Sequence, residues 1–407
     1  MRLPTRPVAL SWLSLLTWSV APAWFGAPAS RAVPVTAWAY QLQNVDLGEV
    51  AANSTFDLIV IDYSSDGSES GEWTPGEIAA AQSSGKTLVS YISIGEAEDY
   101  RYYWDPSWTT NPPSWLGPEN PDWAGNYKVR FWDPGWQAIV FDYLDRIVAQ
   151  GFDGIYMDII DAYYYWSEES PEQPNADALM VDFVVAIRSY LTSIGRPDML
   201  VIPQNGEFIL VEDDVTPALR AAYLDAIDAI GVEDLFHPGD LDENNPFGPE
   251  VDRLDMVREY RDAGKTVLSI DYLTDPALIA QYTSAAFAES FFPYATVRAL
   301  DVLVDGIPSP NANVPGSTAP VEIQLECFPQ PSAGRLFLDF RSTGLGDASI
   351  DLLSADGRRL RHRRAYLPSG GMQIDLSPWA EELPSGRYYL RVTQGTAEAS
   401  IAVVSIR

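Results

Sequence analysis

Residues 151–158 read GFDGIYMD and lie between two helical stretches, Trp136–Gln150 and Ala176–Ile194. The apolar run that begins at Gly154 predicts a buried strand, and Asp158 closes it. A strand between two helices is the repeating unit of a parallel βα fold, in which every strand ends at the same edge. This stretch therefore predicts the fold class and also a carboxylate at the edge where such folds carry their active sites.

The same order of strand, loop and helix recurs from Thr36 to about Leu303. Seven further segments have the composition of short strands: Ala37–Gln41, Leu58–Asp62, Thr87–Ile92, Leu200–Gln204, Ala226–Val232, Thr266–Ile270 and Phe292–Arg298. Eight parallel strands are the number found in a (β/α)8 TIM barrel. An open doubly wound sheet is the alternative, but no glycine-rich phosphate loop follows the first strand to favour it.

The rest of the chain divides into three shorter parts. Residues 1–32 have the basic, apolar and small-residue order of a signal peptide, which leaves 33–304 for the barrel. Residues 305–320 are rich in Pro, Ser and Asn and predict a linker. Residues 321–407 read as alternating strands without helices and predict a small antiparallel β-sandwich. We expect a secreted or cell-surface protein with no transmembrane segment in the mature chain.

Charge and cysteine content exclude several classes of function. The 407 residues include 57 Asp and Glu against 26 Lys and Arg, a formal net charge of −31. Nucleic acid is a poor partner because its phosphates would be repelled. The excess charge is either an acidic surface of the kind adapted to high salt or, in part, a site for a cationic ligand. With Cys327 as the one cysteine and two histidines, we expect no disulfide, no zinc site and no cofactor.

Acidic and aromatic residues close or follow most of the predicted strands. A (β/α)8 barrel builds its active site at these strand ends. A single such carboxylate is most often a solvated loop residue, but a ring of them among aromatic side chains has the composition of a sugar site. The candidate substrate-binding residues are Trp38, Asp62, Tyr63, Tyr91, Glu96, Glu98, Asp161, Glu207 and Asp271.

Two carboxyl groups are the usual means of cutting a glycosidic bond, because one protonates the leaving oxygen while the other attacks or activates water. Asp158 is the leading member, since its strand delivers it directly to the rim; a helix-capping Asp is the competing explanation. Glu233 and Glu207 compete for the second role, and their positions do not separate them. A barrel that binds polysaccharide without cutting it is the alternative function.

Three motifs carry a family resemblance. Residues 91–98 read YISIGEAE and residues 102–104 read YYW. Together with residues 151–158 they resemble glycoside hydrolase family 114, the endo-α-1,4-polygalactosaminidases, over about Trp38 to Leu303. The resemblance implies a barrel that hydrolyses galactosamine-containing polymers with retention and without a metal. It also implies that Asp158 is the nucleophile and Glu233 the acid/base, with Glu207 in reserve.

The resemblance also implies a ligand for the acidic residues at the strand ends. A partly deacetylated galactosamine polymer carries ammonium groups. Four of the candidate carboxylates would bind these groups through charge-assisted hydrogen bonds: Asp62, Glu96, Glu98 and Asp161.

The C-terminal part carries a second resemblance. Residues 328–332 (FPQPS), 356–358 (DGR) and 383–389 (LPSGRYY) are similar to the sorting domain of the type nine secretion system. The similarity implies that this domain has the secretion machinery as its partner and that the basic cluster at 358–364 is a solvated turn. A carbohydrate-binding sandwich is the alternative, but it would need a row of exposed aromatic residues.

Overall fold

The structure is a computed structural model that describes residue 33 and residues 35–304 and 321–406. The predicted signal peptide at 1–32 and linker at 305–320 lie outside the described residues. The strands of the first part are β1 (Trp38–Tyr40), β2 (Leu58–Ile61), β3 (Thr87–Ser93), β4 (Glu96–Glu98), β5 (Leu116–Glu119), β6 (Asn126–Val129), β7 (Gly154–Asp158), β8 (Leu200–Pro203), β9 (Ala229–Glu233), β10 (Thr266–Tyr272) and β11 (Phe292–Thr296).

The helices of this part are α1 (Leu47–Ala52), α2 (Pro75–Gln82), α3 (Pro134–Gln150), α4 (Ala162–Tyr164), α5 (Ala176–Ser193), α6 (Pro217–Ala226), α7 (Val251–Asp262) and α8 (Pro276–Ala288). Several begin at an acidic or hydroxyl cap followed by proline; at α2, Thr74 and Glu77 form a reciprocal capping box. Helix α3 ends at Gly151, whose φ of 93° suits glycine. No helix among the described residues is both long and apolar enough to cross a membrane.

Eight of these strands are parallel and correspond to the eight predicted strands, with bounds shifted by a few residues. They form two sheets in the orders β1-β2-β3-β7-β8 and β11-β10-β9. One isolated parallel bridge, Gln204 to Gly231, joins the sheets. On the other side the indole of Trp38 donates to the carbonyl of Phe292 at 2.7 Å. The parallel α/β fold is confirmed, while the described residues contain no ladder between β1 and β11 that would close a barrel.

Aromatic rings from β1 and β7 pack against one another in the core. Trp38 and Tyr156 are fully buried, and Tyr40 is nearly so. The ring centroid of Tyr156 lies 6.3 Å from that of Trp38 and 5.1 Å from that of Tyr40. Because these rings pack against one another, the core below the strand ends is filled with side chains and contains no open channel among them.

A small antiparallel sheet, in the order β4-β6-β5, follows β3. Its strands β4 and β6 pair Glu96 with Lys128 and Glu98 with Asn126. The sequence analysis did not predict this sheet, because its strands are three or four residues long and lack an alternating apolar pattern. Its loops extend over the ends of the parallel strands and so supply residues to the site described below.

Residues 321–406 form two further sheets, in the orders β12-β13-β16 and β15-β14-β17-β18, which share a separate hydrophobic core. The predicted antiparallel strands are confirmed. The basic cluster at 358–364 is not a turn, because the turn ends at Gly357 and the arginines continue into a strand paired with β14. The elements are β12 (Ile323–Phe328), β13 (Phe337–Ser342), β14 (Gly346–Ser354), β15 (Arg359–Leu367), β16 (Gly370–Asp375), α9 (Ser377–Ala380), β17 (Gly386–Gln394) and β18 (Ala397–Ser405).

Candidate active site

A cavity of about 670 Å³ opens at the carboxyl ends of the parallel strands. The loops after β1 and β11 form one side of it, at residues 42–44 and 298–300. Its volume lies within the range typical of small-molecule sites. Seven of the predicted site residues line it: Asp62, Tyr91, Glu96, Glu98, Asp158, Asp161 and Glu233.

Asp158 is the last residue of β7, and its carboxylate is held by two donors. The hydroxyl of Tyr91 donates to Oδ2 at 2.9 Å, and the amide of Ile159 donates to Oδ1 at 2.9 Å. Ile159 has a φ of 60°, a left-handed conformation that β-branched residues rarely adopt. Strain of this kind persists where the surroundings fix a functional geometry, and here it accompanies an amide that donates to the carboxylate.

Glu233 is the last residue of β9 and is held from both neighbouring strands. On the β8 side, Nδ2 of Asn205 donates to Oε2 at 2.9 Å, and the amide of Glu233 donates to Oδ1 of Asn205 at 3.0 Å. On the β10 side, the hydroxyl of Tyr272 donates to Oε1. The carboxylate is therefore fixed in orientation while it lines the same cavity as Asp158.

The carboxyl groups of Asp158 and Glu233 interact electrostatically. Burial raises the pKa of Asp158 to about 8, and the negative charge of Glu233 is the next largest cause. Two neighbouring carboxylates resist simultaneous ionisation, so the pair retains a proton near neutral pH. One protonated and one ionised carboxyl group is the state that cleavage of a glycosidic bond requires.

Arg101 neutralises two of the predicted substrate-binding carboxylates. Its buried guanidinium contacts Asp62 at 2.8 Å and Glu98 at 2.6 Å. Glu98 also accepts from the hydroxyl of Tyr100 at 2.5 Å. Burial raises the pKa of Asp62 to about 6, and Arg101 opposes that shift. Asp62 and Glu98 therefore line the cavity as members of an ion-pair network and not as free anions.

Glu96 has one carboxylate oxygen that is still available. Its Oε1 accepts from Asn120 at 2.9 Å and lies 3.6 Å from Nζ of Lys128. Its Oε2 is buried and forms no hydrogen bond to any described residue. Burial raises the pKa of Glu96, while Lys128, Asn120 and Asn126 oppose the shift. A buried oxygen without a donor is costly, so a ligand that supplies a donor would stabilise it.

Two aromatic residues predicted to contact the sugar are buried below the cavity. Trp38 is fully buried in the packed core. Tyr63 is also fully buried; its hydroxyl donates to the carbonyl of Gly67 at 3.2 Å, and its ring packs on Tyr143. The expectation that these rings stack on a sugar is corrected, because neither has a face open to the cavity.

Glu207 and Asp271 also lie outside this cavity. The side chain of Glu207 forms an ion pair with Arg253 and lines an adjoining cavity. Asp271 is fully buried, with Oδ2 at 2.8 Å from Nδ1 of His237, and therefore cannot reach a sugar. Of the two candidates for the second carboxyl group, only Glu233 faces the cavity of Asp158. The described residues contain no group of three or more His, Cys, Asp and Glu arranged to hold a metal ion.

The polar and aromatic residues that complete the cavity wall are absent from the sequence prediction. Asn205, Tyr272 and Arg298 lie at or just beyond strand ends, so their position was a usable signal. Arg298 lies 4.0 Å from the ring centroid of Tyr272. Trp123, with 58% of its surface exposed, comes from the β5–β6 loop and had no such signal. Tyr40 also lines the cavity, and its hydroxyl donates to Oε1 of Gln204 at 3.2 Å.

Comparison with protein families gives one match over most of the chain. The model of glycoside-hydrolase family GH114 matches residues 21–307. This range contains both parallel sheets and ends before the C-terminal sheets. It also begins inside the predicted signal peptide.

Curated proteins with similar sequences come from distant organisms. An uncharacterized protein of Methanocaldococcus jannaschii is 44% identical over 238 residues, which is 58% of this chain and 66% of that protein. An uncharacterized protein of Thermotoga maritima is 42% identical over 294 residues, 69% of this chain and 87% of that protein. A third, from Deinococcus radiodurans, is 36% identical over 272 residues, 66% of this chain and 82% of that protein.

Two solved structures share the fold of the first part. The glycoside hydrolase domain of PelA from Pseudomonas aeruginosa has a TM-score of 0.50 at 18% identity, over 66% of this chain and 97% of that chain. Aspergillus fumigatus Ega3, solved in complex with galactosamine, has a TM-score of 0.50 at 18% identity, over 68% of this chain and 96% of that chain. At this identity the similarity concerns the fold.

Proposed function

This chain belongs to glycoside hydrolase family GH114, and we propose that it is a retaining endo-glycosidase that hydrolyses α-1,4-linked galactosamine-containing polysaccharide. Asp158 and Glu233 carry the reaction. The observation behind this assignment is that both carboxyl groups line one cavity and that the charge of Glu233 contributes to the raised pKa of Asp158. A pair that keeps one proton between its members supplies an acid and a nucleophile together.

In the first step Asp158 attacks the anomeric carbon while Glu233 donates a proton to the leaving oxygen. The bond from Asp158 to the anomeric carbon forms as the glycosidic bond breaks, which leaves a covalent glycosyl-enzyme. The donors on Asp158, Tyr91 and the amide of Ile159, hold it in one orientation. The step requires Asp158 to be ionised and Glu233 to carry the proton of the pair, so the bound sugar has to move that proton from Asp158 to Glu233.

In the second step the ionised Glu233 takes a proton from water, and the water oxygen attacks the anomeric carbon and releases Asp158. Asn205 and Tyr272 donate to the two oxygens of Glu233 and hold its carboxyl group in one orientation through both steps. Two successive displacements at the same carbon return the sugar to its original anomeric configuration.

The carboxylates of the cavity support an amino sugar as substrate. Oε2 of Glu96 lacks a donor among the described residues, and Asp161 is exposed, so both are available to ammonium groups. Asp62 and Glu98 would contact an amine only by sharing oxygens that already accept from Arg101. The exposed ring of Trp123 offers a face on which a pyranose would stack.

A barrel that binds polysaccharide without cutting it is the alternative. Such a protein needs the acidic and aromatic wall, but it gains nothing from two carboxyl groups that resist joint ionisation. It also gains nothing from the left-handed backbone at Ile159. Perturbed pKa values and local strain cluster at catalytic sites, so both observations favour the hydrolase.

We also propose that the eight parallel strands form a closed (β/α)8 barrel and that the chain is exported and sorted. The amides of Leu42 and Gln43 both donate to the carbonyl of Leu300, at 2.9 and 3.0 Å, which ties the first βα unit to the last.

The residue order at 1–32 supports export, and the motifs at 328–332 and 383–389 support sorting by the type nine secretion system. Deleting residues 321–407 should leave the enzyme in the periplasm; release of the truncated chain into the medium would contradict the sorting role.

The reaction is tested by the release of reducing ends from partly deacetylated galactosaminogalactan by the purified protein. Wild type should cleave, and Asp158→Asn and Glu233→Gln should each lower the rate by about 10³-fold or more. Glu207→Gln should lower the rate far less, because Glu207 forms an ion pair with Arg253 and does not line the cavity of Asp158. Oligomers of several sugar units as the first products, rather than single sugars, would support cutting within the chain.

Other outcomes would reassign the roles. Cleavage that survives Glu233→Gln and disappears in Glu207→Gln would move the acid/base to Glu207. Binding of the polymer by wild type without any cleavage would favour the non-catalytic alternative. Cleavage of another polysaccharide with the same dependence on Asp158 and Glu233 would keep the mechanism and change the substrate.

A further inference from the structure

A second cavity, of about 590 Å³, adjoins the catalytic cavity on the side of β8. The two cavities share four wall residues: Glu96, Ile159, Asp161 and Asn205. Asn205 thus contacts Glu233 on one side and faces the second cavity on the other. The two spaces are therefore consecutive parts of one cleft, as a chain-like substrate requires.

Two exposed aromatic side chains stand on the wall of the second cavity. Tyr164 lies in the segment after β7 and is 54% exposed; Phe208 lies in the segment after β8 and is 39% exposed. Single exposed rings are common, but exposed rings that line the same cavity are typical of a ligand-binding groove. Aromatic faces stack on pyranose rings, and they also attract an ammonium group held above them.

The junction between the cavities carries the polar part of the site. Oε2 of Glu96 is buried there and has no hydrogen-bond donor among the described residues. Asp161 is exposed on the same stretch of wall. The positive groups of the second cavity are already engaged: Arg253 pairs with Glu207, and Lys128 lies 4.5 Å from the ring centroid of Tyr165. The groups that remain available to a ligand at the junction are thus the carboxylates of Glu96 and Asp161.

We infer that the second cavity is a binding subsite for the amino-sugar unit next to the one that is cleaved. Tyr164 and Phe208 provide the stacking faces, and Glu96 and Asp161 accept from the amine at the junction. This inference rests on the proposed function, because it extends the same cleft by one sugar unit. The subsite makes binding strengthen with chain length, which is the behaviour of an enzyme that acts within a polymer.

The subsite is tested by measuring how binding depends on the length of the substrate. Asp158→Asn, which binds without turnover, is titrated calorimetrically with α-1,4-linked galactosamine oligomers of two to six units. Affinity should rise when the oligomer becomes long enough to enter the second cavity. Adding Tyr164→Ala and Phe208→Ala to this variant should reduce that rise by about three- to tenfold for each ring. Affinity for the shortest oligomer that binds should fall less.

Phe328→Ala is the matched control, because Phe328 is 38% exposed and belongs to the C-terminal sheets. An equal loss of affinity for short and long oligomers in the Tyr164 and Phe208 variants would overturn the subsite. The subsite would also be overturned if these variants, shown to be folded by circular dichroism, kept the dependence of affinity on oligomer length that Asp158→Asn shows. Failure of Asp158→Asn to bind any galactosamine oligomer would instead contradict the proposed function, which separates the two failures.

Discussion

The hydroxyl of Tyr156 lies so close to Gly231 that a Cβ atom added to the glycine would come within 1.8 Å of it. Tyr156 is two residues before Asp158 on β7, and Gly231 is two residues before Glu233 on β9. The tyrosine therefore spans the interior from the strand that ends at Asp158 to the strand that ends at Glu233. We expect this contact to limit how closely the two strands, and hence the two carboxyl groups, approach.

Gly231→Ala should separate Asp158 from Glu233 without removing either. The added methyl group cannot be accommodated beside a fully buried ring, so β7 and β9 must move apart. A displacement of about 1 Å at a catalytic pair costs on the order of 10²-fold in rate. We expect kcat on the galactosamine polymer to fall by this factor while KM changes little.

Gly248→Ala is the control for this substitution, because a Cβ atom at Gly248 would meet nothing within 4 Å. It should leave kcat within about twofold of wild type, as surface substitutions away from special features usually do. Equal activity of the Gly231 and Gly248 variants would show that the Tyr156 contact does not set the catalytic geometry.

The pH dependence of kcat/KM should have an alkaline limb near pH 8. The reaction needs one proton on the carboxyl pair, and the pKa of about 8 at Asp158 marks the loss of that proton. Glu233→Gln should lower the pKa of Asp158, because it removes a negative charge that raises it. Carboxyl ¹³C NMR titration measures the shift, with Glu259→Gln on the outer surface as control. A pKa at Asp158 that is the same in both variants would mean that the two groups do not interact.

Asp158→Asn should stabilise the fold increasingly as pH rises. The folded state holds the Asp158 proton up to about pH 8, whereas an unfolded aspartate releases it near its ordinary pKa of about 4. The stability that this proton confers is present below about pH 4 and is lost progressively up to about pH 8. At pH 8 we expect the Tm of the variant to exceed that of wild type by several degrees, because a shift of about 4 pKa units is linked to several kcal/mol of stability. A difference in Tm that is constant from pH 5 to pH 9 would argue against the raised pKa.

Arg101→Met should destabilise the protein strongly. The substitution leaves the buried carboxylates of Asp62 and Glu98 without their cation, which typically costs about 3–5 kcal/mol. Urea unfolding measures the loss. Arg220→Met breaks an exposed pair with Glu259 and should cost only about 0–1 kcal/mol. Similar losses in the two variants would mean that Arg101 is not the centre of a buried network.

Strand positions and the location of Asp158 and Glu233 at strand ends were predictable from sequence, because both depend on local pattern. The run from Gly154 to Met157 is apolar throughout and buried in the structure, and Asp158 follows it directly. In the same way Glu233 closes the apolar run of β9. A strand end in a parallel fold always lies at the same edge, so chain position alone brings such residues together.

The contacts that fix the other candidate residues were not predictable in the same way. Arg101 lies three residues after Glu98, but its approach to Asp62 joins segments 39 residues apart through the fold of the loop. Trp38 begins β1 and therefore lies at the end of the strand opposite the cavity, whereas Tyr63 follows the carboxyl end of β2 but has its ring buried in the core. The choice between Glu207 and Glu233 likewise depends on Arg253, which reaches Glu207 from α7.

The central claim is that Asp158 is the nucleophile of the pair, and trapping the intermediate tests it most directly. Glu233→Gln is incubated with α-galactosaminyl fluoride, whose fluoride leaves without acid assistance while the missing base slows hydrolysis. Mass spectrometry of peptic fragments should then find one galactosamine unit bound to the peptide that contains Asp158. A sugar bound to a different residue, or fluoride release with inversion and no adduct, would contradict the account.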